Sequence, residues 1–342
     1  MQIRRRHVAV GILTWLAIFG AFVLLAGPTE FVEEASDISQ PRLVGMLVMK
    51  ALGTVSMGLV LYTVSRGAGL HVSPVESVLL NATVSLANNF MPFGQASGLP
   101  VGGMIISQWT GQSFERSVAA LSTKELAGFT PGVLVMLFGG SYIVLYDATI
   151  PDQIRSLVAV FTVSIAAFVV VVALVYRNPD PAQRSLHRFV ATLNRGVAYL
   201  PLLSKLDEAE VRDRVDSFTG SLDEISSNKP VVVVAASLTV LATVTQGILL
   251  WLALSGVGVD ISPALTVFIV PISLLASAIP TPGGSGGIEG AQILLVFAMS
   301  GGTRAEIITA VVVTRGLVYW TPIVLGTLTL TGIQFKKWWL AR

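Results

Sequence analysis

Long apolar runs occupy most of this chain, at 8–27, 43–65, 75–91, 99–111, 117–146, 154–176, 230–254, 263–279, 286–300 and 305–334. They leave few folds open to it. A bilayer core about 30 Å thick is crossed by roughly 20 apolar residues in helical form. Within that core every backbone polar group must be satisfied by the chain itself, which restricts spanning segments to helices and closed barrels. The chain therefore reads as an all-α polytopic membrane protein. Its 342 residues are 53% hydrophobic and 12% charged, about half the charge of an ordinary soluble domain. A mean hydropathy of +0.75 also excludes a disordered chain, which needs the opposite balance.

Composition removes several function classes. With no cysteine there can be no disulfide, iron–sulfur cluster or thiolate zinc site. The histidines, His7, His71 and His187, are too scattered in sequence to suggest a metal centre, so neither metal nor cofactor is expected. A net charge of +2 is too small to point to nucleic acid.

Charge sets the sidedness. Arg4, Arg5 and Arg6 precede the first run, which is longer than a signal-peptide core and reads as an uncleaved anchor over 1–27. The positive-inside rule puts the N-terminus in the cytoplasm. The next loop, with Glu30, Glu33, Glu34 and Asp37, falls outside, as do Asp147 and Asp152; Arg66 and Arg116 fall inside. Residues 177–229 form a basic and then acidic cytoplasmic connector whose first half suits a helix lying on the membrane face. The tail 336–342, with Lys336, Lys337 and Arg342, is also cytoplasmic.

Four runs are too short to span: 75–91, 99–111, 263–279 and 286–300. Gly and Pro rather than charge join each pair, so 75–111 and 263–300 read as re-entrant hairpins with tips inside the membrane. Irregular backbone at that depth survives only beside protein or a wet cavity. The two halves also repeat. TVSMGLVLYTVSRGAGLHVSP at 54–74 matches TVTQGILLWLALSGVGVDISP at 243–263, sharing Thr54/Thr243, Gly58/Gly247, Gly67/Gly256, Gly69/Gly258 and Pro74/Pro263 among others. TKELAGFTP at 123–131 matches TRGLVYWTP at 314–322. The first repeat covers 41–176, with spans 43–65, 117–146 and 154–176; the second covers 230–335, with spans 230–254 and 305–334. Counting crossings makes their topologies opposite. Inverted repeats built on broken helices mark alternating-access transporters.

The candidate site follows from this arrangement. Arg315 stands mid-span, where a charge costs about 3 kcal/mol on insertion scales and usually faces a substrate path. Its repeat mate is Lys124. Two such cations suit an anionic group; internal pairing, Arg315 with Glu289 and Lys124 with Glu125 or another acid, is the competing reading. The second tip supplies Gly283, Gly284, Ser285 and Gly286 ahead of a half-helix whose free N–H groups favour an anion. The first tip offers Asn88, Asn89 and Gln95, either as ligand contacts or as caps of a broken helix. Pro92, Gly94, Pro280 and Pro282 shape the tips, and Pro131 and Pro322 are hinge candidates in the long spans. Glu289 is a candidate proton carrier.

These motifs carry a family resemblance. PTPGGSGGIEGA, followed by TRGLVYWTP, resembles the lysylphosphatidylglycerol synthase transmembrane-region family, and NNFMPFGQASGLP is similar to a looser first-half signature. The resemblance covers about 8–335. It implies lipid translocation through a cavity open to lipid. It assigns Pro282, Gly283, Gly284, Gly286, Glu289 and Arg315 to the second signature, and Asn89, Pro92, Gly94 and Gly98 to the first. Where many relatives follow the first tip with an acid and then an arginine, this chain has Leu99, Pro100 and Val101. The aminoacyl-transferase domain of bifunctional relatives is absent, so no lysyl transfer is expected. The reading is a non-enzymatic plasma-membrane flippase for an anionic lipid, either a phospholipid or a polyprenyl phosphate. The enzymes of lipid-linked glycan synthesis are the partners that a polyprenyl phosphate implies. A secondary transporter or channel for a small anion is the alternative.

Overall fold

A computed structural model of the chain describes residues 5–90, 95–146, 227–278 and 281–340, with single residues and short helical stretches between 155 and 225. No strand occurs among the described residues. The helices are α1 (Arg5–Ala26), α2 (Pro28–Asp37), α3 (Gln40–Gly67), α4 (Pro74–Phe90), α5 (Gln95–Thr110), α6 (Phe114–Tyr146), α7 (Lys229–Gly256), α8 (Pro263–Leu274), α9 (Gly287–Met299) and α10 (Arg304–Leu340). Three stretches, Gln40–Gly67, Lys229–Gly256 and Arg304–Thr331, are long and apolar enough to cross a membrane; α1 with α2, bent by 91°, makes a fourth candidate. Most of the expected span 154–176 and of the connector 177–229 lies outside the described residues.

Two local expectations change. The acidic segment read as a loop forms α2. Gly27, at φ 95°, turns the chain out of α1, and Pro28 opens the new helix, where its missing N–H costs nothing. The last helix also continues past the expected end of its span to Leu340.

The centre of the molecule is the antiparallel pair α3 and α7. Gly45 faces Leu252, Gly53 faces Thr245 and Gly67 faces Val231, so numbers rise on one helix as they fall on the other. Small residues at these crossings let the backbones approach, which is how helices gain packing energy in lipid. The next helices dock on this pair through matching glycines. A Cβ at Gly58 would lie 2.5 Å from the Val78 Cα of α4, and one at Gly247 would clash with the Val267 Cα of α8. After each long helix the chain leaves through a left-handed glycine, Gly69 at φ 70° and Gly258 at φ 88°. Both re-enter helix behind a serine, whose hydroxyl accepts the N–H of Glu76 (3.2 Å) or Leu265 (3.3 Å).

These contacts place the two broken hairpins at opposite ends of the bundle. At one end Ile38 lies against Gly256 and Val259 against Gly302, gathering the start of α3, the end of α7 and the α9–α10 turn. At the other, Val231 lies against Gly67, and Arg116 lies near Gly69 and pairs with Glu224 at 3.6 Å. The α4–α5 hairpin opens toward the second end and the α8–α9 hairpin toward the first.

At the first end, burial and the neighbouring carboxylates of Glu306, Asp37 and Glu33 push the Glu34 carboxyl up. A carboxyl raised on folding holds its proton more tightly in the folded chain. Its contribution is therefore fully present below the unfolded value and is lost as pH rises through the folded one. Thermal stability in detergent should accordingly fall as pH rises above the ordinary carboxyl range of about 4, and Glu34→Gln should flatten that slope. An identical slope in the variant would remove Glu34 as its source.

Candidate functional site

Between α8 and α9 the chain gives up regular helix at a run of Pro and Gly. Gly283, Gly284 and Gly286 take φ of 63°, 69° and 88°, left-handed values that glycine adopts without the Cβ penalty. α9 then starts at Gly287, which sets Glu289 in its first turn with its side chain reaching back over the helix end. Glu289 Oε2 accepts the Gly286 N–H at 2.6 Å, and Oε1 accepts from Arg315 Nε at 2.7 Å. Glu289 is fully buried and Arg315 is 8% exposed. Of the two sequence readings of Arg315, internal pairing describes this conformation. The positive end of α9, where an anion was expected, is occupied by the chain's own carboxylate.

Helix rise explains why these groups meet. Glu289 precedes the end of α9 by ten residues, and Arg315 follows the start of α10 by eleven, so each lies about 15 Å from the same end of the bundle. Lys50 follows the start of α3 by ten residues and lies at the same level, close enough for Arg315 and Lys50 to repel each other. At this level Arg315 pairs with Glu289, and Lys50 adds a second cation, among the described residues.

The surrounding wall is polar and under-satisfied. Ser285 and Gln292 are 1% and 4% exposed, and their Oγ and Oε1 have no hydrogen-bond partner among the described residues; the same holds for the Tyr319 hydroxyl. Such atoms normally bond to something, water included. The first tip arrives from the other side. Asn89 Nδ2 donates to the Tyr319 carbonyl at 3.2 Å, and its Cα lies against Gly283, so the end of α4 and the α8–α9 break touch. Asn88 Oδ1 is buried without a partner beside Gly98, where no side chain could fit. Helix α1 covers the cluster. Trp15 stacks on Tyr319 at 5.1 Å and meets Trp320 edge-on at 5.2 Å, while Ile18 packs near Gly286.

The sequence around this site matches known proteins. The family description "lysylphosphatidylglycerol synthase TM region" fits residues 8–326. The chain belongs to this family. It is also similar to a UPF0104 membrane protein of Methanothermobacter thermautotrophicus, 24% identical over 320 residues that cover 91% of each chain. Membership and the apolar helices make it a multi-pass membrane protein. Both strings that suggested the family, at the α8–α9 break and around Arg315, fall within the matched residues.

The other expected site residues do not join this cluster. Lys124 is 4% exposed and pairs with its neighbour Glu125 at 2.8 Å. Gln95 lies at the start of α5, and its side chain is outside the described residues, as are those of Pro131 and Pro282 and the whole of Pro92, Gly94 and Pro280. α10 runs through Pro322 as one helix. Lys50, Gln292, Tyr319 and Trp15 were missed from sequence. Lys50 left a signal, a lone cation within the run 43–65; the others left none, because aromatic and amide side chains are ordinary in apolar spans.

Proposed function

We propose that this chain is a flippase: it moves a lipid with an anionic head group between leaflets, and it is not an enzyme. The observation that carries the reading is the level of Lys50, Arg315 and Glu289, with one more cation than carboxylate about 15 Å into the bundle. A surplus cation this deep in an apolar span is costly unless an anion reaches it. The unpartnered Ser285, Gln292 and Tyr319 atoms beside it supply hydrogen bonding for a head group. Family membership supports a membrane role of this kind, and phospholipids and polyprenyl phosphates are the lipids that fit.

The architecture we infer is an inverted repeat: α3–α6 and α7–α10 as equivalent halves, each with a re-entrant hairpin, one open to either side of the membrane. The matched glycine crossings and the antiparallel α3–α7 pair support it. Both termini then face the cytoplasm, and the plasma membrane is the proposed location. Alternating exposure of the Arg315 level to the two sides would move the head group while its acyl or prenyl chains stay in lipid.

The test is a liposome assay of lipid movement between leaflets. Wild type should accelerate phosphatidylglycerol or polyprenyl phosphate over empty liposomes, with phosphatidylcholine much slower. Arg315→Ala and Lys50→Met should each reduce that rate at least about tenfold, the loss of one charge-assisted contact. Folded wild type that moves no lipid, but carries a small anion such as phosphate, would replace this reading with a secondary anion transporter.

A further inference from the structure

Both oxygens of Glu289 are engaged by the groups that would hold a ligand anion. One takes the Arg315 guanidinium at 2.7 Å and the other the Gly286 N–H at 2.6 Å, at the positive end of α9. An arginine and a free N–H at a helix start are the donors that a phosphate would also take. We infer that Glu289 is a resident competitor: an arriving phosphate displaces it from Arg315 and the start of α9, and the displaced carboxylate takes up one proton. Lipid anion and proton then occupy the site together.

The inference rests on the flippase reading and adds its coupling. Charge decides the step. With Glu289 ionised, Lys50 and Arg315 leave one positive charge over, enough for a phosphodiester held loosely. Displacing Glu289 without protonating it would leave a bare carboxylate beside a bound phosphate in a buried site, and two like charges there favour the protonated acid. The proton comes from the water on the side to which the site is open, and no bond of the lipid is broken. On release to the other side the carboxyl returns its proton and re-forms the pair with Arg315. The buried, partnerless Ser285 Oγ and Gln292 Oε1 lie on either side of Glu289 in sequence, ready for the ligand or the neutral acid. The titrating or charged groups that face Glu289 are Arg315 and Tyr319 of α10, with Lys50 of α3 beyond Arg315. α8 contributes none, and α1 presents Trp15 and Ile18.

The experiment measures binding of short-chain phosphatidylglycerol to the purified full chain in detergent, from about pH 5 to about pH 8. Its phosphodiester keeps one charge throughout, so a pH effect belongs to the protein. Affinity should weaken with rising pH, approaching tenfold per pH unit, as uptake of one proton requires. Glu289→Gln mimics the displaced acid and should bind about tenfold or more tightly than wild type at the upper pH, with no pH dependence. If that variant does not fold, the series is repeated in Lys50→Met: a slope that persists belongs to Glu289, and a slope that vanishes with Lys50 overturns the competitor role. Binding of equal strength at every pH, unchanged in Glu289→Gln, overturns the competitor role and leaves the flippase reading standing. No binding by either protein overturns both.

Discussion

Glu289→Ala is expected to cost the folded protein about 3–5 kcal/mol, the largest single loss we foresee, because it strands the buried Arg315 guanidinium without its carboxylate while the repulsion from Lys50 remains. An arginine cannot escape by losing its proton. The reverse deletion should cost less. In Arg315→Ala, Glu289 keeps the Gly286 N–H and can become neutral by taking a proton, the usual response of a buried acid without a partner. The double variant, Glu289→Ala with Arg315→Ala, removes both charges and should recover part of the loss. Thermal unfolding in detergent, followed as a double-mutant cycle, reads all three. Equal losses for the two single variants, with simple additivity in the double, would show that the ion pair contributes nothing of its own.

The second large effect belongs to the glycine crossings. Gly247→Ala puts a Cβ into the α8 backbone at Val267, and Gly58→Ala puts one 2.5 Å from the Val78 Cα. The obstructing atoms are backbone, so no rotamer change relieves the clash and a whole helix must move. Overpacking of this kind costs about 1–3 kcal/mol, which should outweigh the roughly 1 kcal/mol that alanine gains over glycine within a helix. Gly20→Ala in α1, where nothing lies within 4 Å of the added Cβ, is the control and should be neutral or slightly stabilising. Similar losses at 58 and 247 would support equivalent halves. A loss at one site only would argue that the two crossings carry different loads, and that the halves do not act as a repeat.

Much of this was legible beforehand because membrane burial writes itself into composition. Apolar length fixed α3, α7 and α10, and the glycine and proline breaks separated α4 from α5 and α8 from α9 within a few residues. α2 was not legible. It is ten residues long and acidic beside long apolar runs, and it depends on the turn at Gly27 and on packing against α10. The candidate site was half legible. Arg315 and Glu289 stand out as charges in apolar surroundings, and their pairing was one of two readings of the sequence. Lys124 stood out equally, and it pairs with Glu125, the acid that the internal-pairing reading named first.

By itself, then, the sequence determined that this chain is a helical, multi-pass membrane protein with two interrupted hairpins and costly internal charge. Hydropathy and helix-breaking residues act locally, and local effects can be read along a chain. The tertiary structure decided which charges share one level, and it filled the expected anion site with Glu289. It also set Lys50 beside Arg315 and laid Trp15 of α1 across Tyr319. Those outcomes depend on where each helix starts and how far it runs, and on which end of the bundle it shares with helices distant in the chain. Depth is a property of the assembled bundle, and only the packed helices make it visible.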